Sequence, residues 1–170
     1  MRVDAMTLAD VDGVLEVEPP SRMTIAQLRE ELERPWARLR VARVARENGD
    51  ERREVVGFLV SWHVADELHV LNVATHAAHR RRGIGRALMR ESIDFAKDKR
   101  LRHVLLEVKR SNAAAIALYR SVGFFAMGIR SDYYPDGEDA VEMVLLLDPA
   151  TGEVQVHADE VRLEREPREP

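Results

Sequence analysis

With 170 residues, 45% of them hydrophobic and 33% charged, the chain is long enough to bury one proper core and short for two, so one globular domain is expected. The lack of cysteine excludes a disulfide framework, a thiolate nucleophile and a cysteine-based zinc site. The net charge of -4 is unevenly placed: residues 148–170 hold seven of the thirty acids against three of the twenty-six bases, and the neutral body that remains disfavours a nucleic-acid surface.

No apolar run approaches the roughly 20 residues that span a bilayer. The segment from Met1 to Met6 lacks the hydrophobic block of a secretion signal. A cytoplasmic protein without a membrane partner is the expectation.

Thr7 followed by Asp10 has capping-box spacing, and Leu8, Val11, Val14 and Leu15 then share a helical face, predicting a helix from about Leu8 to Val17. Pro19 and Pro20 end it, since proline lacks the amide proton. Thr24 and Gln27 form a second capping pattern for a helix through Leu28 and Leu32 that stops before Pro35. Leu39–Ala45 and Val55–His63 read as strands around a turn at Asn48-Gly49-Asp50, and Leu68–Thr75 follows as a third strand of an antiparallel meander.

From Gly83 to about Lys99, Ile84, Ala87, Leu88, Phe95 and Ala96 form an apolar stripe, predicting a long amphipathic helix. His103–Val108 is nearly all apolar, as for a strand covered on both faces, and the helical crossover before it predicts pairing parallel to the Leu68 strand. Ser111 or Asn112 caps a further helix that ends at Gly123. Phe124–Ile129 and Ala140–Leu147 then make a hairpin around Tyr133–Gly137. The domain is expected to cover residues 1–147. An acidic, mostly flexible tail follows over 148–170, in which Val154/Val156 and Val161/Leu163 have the pattern of a weak edge hairpin.

Three constellations could carry chemistry. In Arg80-Arg81-Arg82-Gly83-Ile84-Gly85-Arg86, a helix start with unpaired amides, a partial positive charge and glycines suits an anion such as a pyrophosphate. The alternative is a solvated basic helix start. It is no P-loop, which needs a Gly-Lys-Ser/Thr ending, and Leu88 stands where the Rossmann pattern needs its third glycine or alanine. Glu107 shares a strand face with Leu105, opposite Val104, Leu106 and Val108. A carboxylate in a buried strand is costly unless paired or useful, so it is either a general base or one half of an ion pair. Asn112 and Tyr119, seven apart, lie on one helical face. They read as a ligand-orienting amide and a proton-donating phenol, or as a cap and a core tyrosine. His63, His69, His76, His79 and His103 form no metal-like set, so no metal is expected. No Gly-x-Ser-x-Gly hydrolase elbow occurs. Tyr133 and Tyr134 are turn or core aromatics that could equally wall a pocket.

Taken together, Leu71–Ala74, Arg80–Leu88, Leu106–Val108, Ser111–Tyr119, Gly123-Phe124 and Arg130–Pro135 resemble the GNAT superfamily of N-acetyltransferases, whose acetyl-CoA signature Arg/Gln-x-x-Gly-x-Gly/Ala is matched by Arg80–Gly85. Within it they are similar to the RimI type, which acetylates the N-terminal alanine of a ribosomal protein. The resemblance implies an α/β (α+β) fold, with a mixed, mostly antiparallel sheet flanked by helices and a parallel pair splayed between the Leu68 and His103 strands. It implies acetyl-CoA as co-substrate, met by the backbone of Val73, Ala74 and Thr75, by Arg81, Arg82, Gly83, Ile84, Gly85 and Arg86 at the pyrophosphate, and by Asn112 and Tyr119. It implies Glu107 as general base, Tyr119 as general acid, and a protein or peptide N-terminus as acceptor. A lysine or small-amine acetyltransferase and a non-catalytic acyl-CoA-binding module are the alternatives. Met23 stands where the family commonly carries tryptophan beside the acceptor.

Overall fold

In the computed structural model, which describes residues 1–18, 24–45 and 53–163, the chain is built on one mixed sheet. In chain order the elements are β1 (Arg2–Ala5), α1 (Val11–Val17), α2 (Ile25–Glu33), β2 (Ala37–Ala45), β3 (Arg53–Val64), β4 (Glu67–Thr75), α3 (Ile84–Asp98), β5 (His103–Lys109), α4 (Ala113–Arg120), β6 (Phe125–Arg130), β7 (Ala140–Leu147) and β8 (Val154–Gln155), with short 3-10 turns at Leu8–Asp10 and Ala77–His79. The strands lie in the order β1-β2-β3-β4-β5-β7-β6, with β8 on β7. Among the described residues only β4 and β5 pair in parallel. Met23 and the Asn48–Asp50 turn lie outside the described residues. No described helix is long and apolar enough to cross a membrane.

Two apolar layers sandwich the sheet. Val11, Val14 and Val17 of α1 and Leu28 of α2 pack on Leu39, Val41, Phe58 and Val60. On the other face Ile84, Leu88, Met89, Ile93 and Ala96 of α3, with Ile116 and Tyr119 of α4, pack on Leu59, Leu68, Val104, Leu106 and Met143. Fully burying a leucine stabilises the fold by roughly 1.5–3 kcal/mol, which is why the α3 stripe rather than propensity holds that helix. Thr24 caps α2 as its sequence predicts, its hydroxyl accepting from Gln27 N at 3.2 Å while Gln27 Oε1 accepts from Thr24 N at 2.8 Å.

The structure corrects the sequence reading in four places. Strand β1, too short and polar to announce itself, forms because Arg2–Ala5 pair with Arg40–Arg43. Leu8 points to solvent, since the first turn is 3-10 and shifts the face; Val17 joins Val11 and Val14 instead. Strand β5 is not covered on both faces: Val104, Leu106 and Val108 are buried, while Leu105 and Glu107 are only half covered. Residues 148–163 are laid on the domain. Val154 pairs with Leu147 rather than with a Val161/Leu163 strand, and all three of these apolar residues pack against the larger core.

What positions the functional region is the way β4 and β5 part. Their parallel register covers Glu67–Val70 against His103–Leu106 and then stops. Strand β4 continues to Thr75 on β3 alone, while β5 continues on β7. At the parting point Ser61 faces Val70 and Val60 faces Asn72, which leaves Leu71 as an extra residue in a β-bulge. The bulge inverts the alternation: Val70 and Val73 both pack on the α3 layer, and Ala74 packs on the α1 layer.

Candidate active site

The unpaired edge of β4 offers backbone groups to the split. His76 N donates to Val56 O at 2.9 Å, and hydrogen-bonded pairs alternate along an antiparallel ladder. The peptide groups of Ala74 are therefore turned to Phe58 on β3, whereas those of Val73 and Thr75 face the opening. Of the three residues expected to meet a ligand here, Ala74 has its backbone engaged elsewhere.

Beyond Thr75 the chain turns through Arg80–Gly83 into α3. Arg81 (φ 61°) and Gly83 (φ 80°) are both left-handed. For Arg81 that costs about 1–2 kcal/mol, strain held at the mouth of a helix whose first amides have no intrahelical acceptor. Arg80, Arg81 and Arg82 are exposed. A Cβ on Gly83 would meet nothing, so its glycine serves the left-handed turn. Gly85 differs: a Cβ there would sit 3.0 Å from Leu118 Cδ2 and 3.8 Å from Thr75 Oγ1. Its bare backbone lets α3 approach α4, a packing role that the sequence reading as ligand clearance did not anticipate. Arg86 Nη2 donates to Ser121 Oγ at 3.0 Å, tying the same two helices.

On the α1 side of the sheet a cleft of about 450 Å³ opens at the parting of the strands, walled by His69, Leu71, Leu105, Met127, Tyr134 and Met143 among others. Glu107 lines it, its side chain 30% exposed, which corrects the expectation of a buried carboxylate. Arg130 Nη1 pairs with Glu107 Oε1 at 3.1 Å, and Arg130 Nε donates to Glu142 Oε1 at 2.7 Å. Tyr133 joins them: the hydrogen bond of its hydroxyl to Glu107, then burial, push its pKa up. The Arg130 guanidinium lies 5.7 Å from the centre of the Tyr133 ring.

Tyr119 comes from the opposite layer, on α4, and is 8% exposed. Burial first, and the nearby Tyr134 second, push its pKa up to about 12. Tyr134 in turn stands edge-on to Tyr133, 5.2 Å between ring centres. Of the two tyrosines of the β6–β7 connection, Tyr133 thus serves Glu107 and Tyr134 lies on the side of Tyr119. Asn112 Oδ1 accepts from Ala115 N at 3.1 Å and caps α4.

Sequence reasoning passed over Glu142, Gly128 and Met127. The signal for Glu142 was present: it is the one acid inside the apolar run Ala140–Leu147, the same anomaly that singles out Glu107. Met127 carried no signal, because it is exposed only through the register shift between Ala126 and Gly128 on β6.

The acetyltransferase (GNAT) family model matches residues 10–124. The ribosomal protein bS18-alanine N-acetyltransferase of Escherichia coli (strain K12) is 43% identical over 95 residues, which cover 54% of this chain and 64% of that relative. A Bacillus subtilis (strain 168) protein, to which the same activity is provisionally ascribed, is 33% identical over 143 residues, 81% of this chain and 90% of its own length. The crystal structure of the ribosomal-protein-S18-alanine N-acetyltransferase from Escherichia coli is similar with a TM-score of 0.71 at 30% identity, covering 84% of this chain and 91% of that one.

Proposed function

The chain belongs to the acetyltransferase (GNAT) family, and from that membership we propose that it transfers acetyl from acetyl-CoA to the α-amine of a protein N-terminus of the alanine type, with a ribosomal protein as the acceptor suggested by its relatives' names. The observation that carries this reading is the opened β4–β5 pair with Glu107 in the cleft beside it; Tyr119, on α4 in the layer across the sheet, is the proposed acid.

The residues present fit acetyl-CoA. The left-handed Arg81–Gly83 turn, the exposed Arg81 and Arg82 and the amides opening α3 from Ile84 through Gly85 and Arg86 suit a pyrophosphate. The outward peptide groups of Val73 and Thr75 suit an amide-bearing arm beside β4, and Asn112 at the head of α4 is the proposed further contact. Bound there, acetyl-CoA supplies an activated acetyl thioester.

An α-amine titrates near 8, so much of it arrives protonated at neutral pH. Glu107 takes that proton, directly or through a water. The Val73 amide, aimed into the split, stabilises the negative charge that develops on the carbonyl oxygen under attack. Tyr119, whose burial holds it protonated well past neutral pH, gives its proton to the departing sulfur. No covalent bond to the protein is needed.

Mass spectrometry of a peptide panel incubated with acetyl-CoA tests the acceptor. Peptides beginning with alanine are expected to gain acetyl at the α-amine. Acetyl found on lysine side chains alone, with free alanine termini untouched, would overturn the reading.

A further inference from the structure

Resting on that reading, we propose that Glu142 is a specificity-determining residue whose carboxylate draws the charged ammonium of the acceptor into the cleft. Glu107 and Glu142 are directly opposed on β5 and β7 and both line the same cavity. Like charges opposed across a ladder are destabilising, so two carboxylates there require compensation. Among the described residues only one guanidinium is bonded to them, Arg130, which contacts both. Two acids sharing one base leave a surplus negative charge beside Leu71, Met127 and Tyr133, where little else can neutralise it.

The position is built rather than incidental. A Cβ on Gly128 would sit 2.6 Å from Glu142 Oε2, so the carboxylate occupies the space that a side chain on β6 would fill. The other titratable groups at this cleft are Tyr133, Tyr134, His69, whose Nε2 lies 2.7 Å from Glu67 Oε2, and at its edge Lys109, on the same face of β5 as Glu107 and 5.2 Å from the Tyr134 ring centre, whose ammonium is paired with Asp136 and Glu138. None of them is bonded to Glu107 or Glu142 as a second base. An entering ammonium supplies that positive charge. Once acetylated the amine is an uncharged amide, the attraction disappears, and product leaves a site that again favours a charged amine.

The test is steady-state kinetics of Glu142→Gln with an alanine-initiated peptide. Near pH 7 its KM for peptide should rise about tenfold, with KM for acetyl-CoA unchanged, and the difference should shrink toward unity near pH 9.5, where an amine of pKa about 8 is neutral. Glu142→Asp should recover part of the loss. Gly128→Ala, which keeps the charge but displaces the carboxylate, should raise peptide KM in the same pH-dependent way. A Glu142→Gln KM within about twofold of wild type at pH 7, or a rise that persists undiminished at high pH, overturns the inference while leaving α-amine transfer standing. If the wild-type protein acetylates no α-amine, the functional reading fails and takes the inference with it.

Discussion

Two of the clusters that set an arginine between two acids, at Arg43 and at Arg130, are opposite in character. At the β1–β2 end Arg43 pairs with Asp4 at 2.9 Å and Asp10 at 2.6 Å, while Arg2 Nε also meets Asp4 at 2.5 Å. Two bases balance two acids. Asp10 is further satisfied by the Thr7 amide at 2.8 Å and hydroxyl at 2.9 Å. At the cleft Arg130 serves Glu107 and Glu142 without a second base bonded to them among the described residues, and its side chain is 52% exposed against 18% for Arg43. A closed, balanced cluster is a staple for the entry of α1. An open one with a surplus charge is a place for a ligand.

Glu107→Gln and Tyr119→Phe are each expected to reduce turnover by about 10²-fold or more while acetyl-CoA still binds, measured by single-turnover kinetics and by calorimetry. Unchanged turnover in either would remove that residue from the acid–base assignment. Asp10→Ala should do the reverse, costing about 2 kcal/mol of stability in denaturant titrations and leaving turnover per folded molecule intact, because it removes one of the two acids that Arg43 holds and the acceptor of the Thr7 amide and hydroxyl.

The pH dependence sharpens the same point. Burial pushes the Asp10 carboxyl up, but Arg43 and Thr7 together outweigh it and hold the group below its usual 3.8. A group depressed in the folded state stabilises the fold above its unfolded value and loses that contribution as pH falls through the folded value. Stability should therefore decline on acidification below about pH 4, and Asp10→Asn should flatten that limb. The smallest effect is expected at Arg130→Gln, which leaves Glu107 and Glu142 opposed without their shared guanidinium and should lower the denaturation midpoint, but by less than Asp10→Ala because the cluster is open to solvent; a drop as large as that of Asp10→Ala would mean that the cleft cluster is a structural staple after all.

Much of the fold was legible because it rests on local rules. The Thr24–Gln27 capping box, the α3 stripe, the left-handed stop at Gly123 and the parallel pairing after a helical crossover each depend on residues close in the chain. The anion-suited turn was legible for the same reason: Arg80–Gly85 is contiguous. Glu107 stood out as an acid in an apolar strand, yet whether it was buried, paired or open to a ligand depended on what faced it. Strand β1 and the docking of residues 148–163 escaped because short or polar segments form strands and straps only against a partner already in place. The Asp159 side chain, for example, accepts from Ala126 N at 2.8 Å across 33 residues.

What this sequence determined by itself is the set of longer elements, from α1 through β7, the capping of α2, the anion-suited turn and the presence of an acid and a phenol of the right kinds. The tertiary structure alone decided where β4 and β5 part, that Leu71 and Met127 are pushed out at register shifts, that Gly85 serves the approach of α3 to α4, and that Glu142 shares Arg130 with Glu107. Caps and periodicity are set by neighbours within a few residues. Register and charge sharing are set by which strands meet, and that depends on packing the whole sheet between its two helical layers.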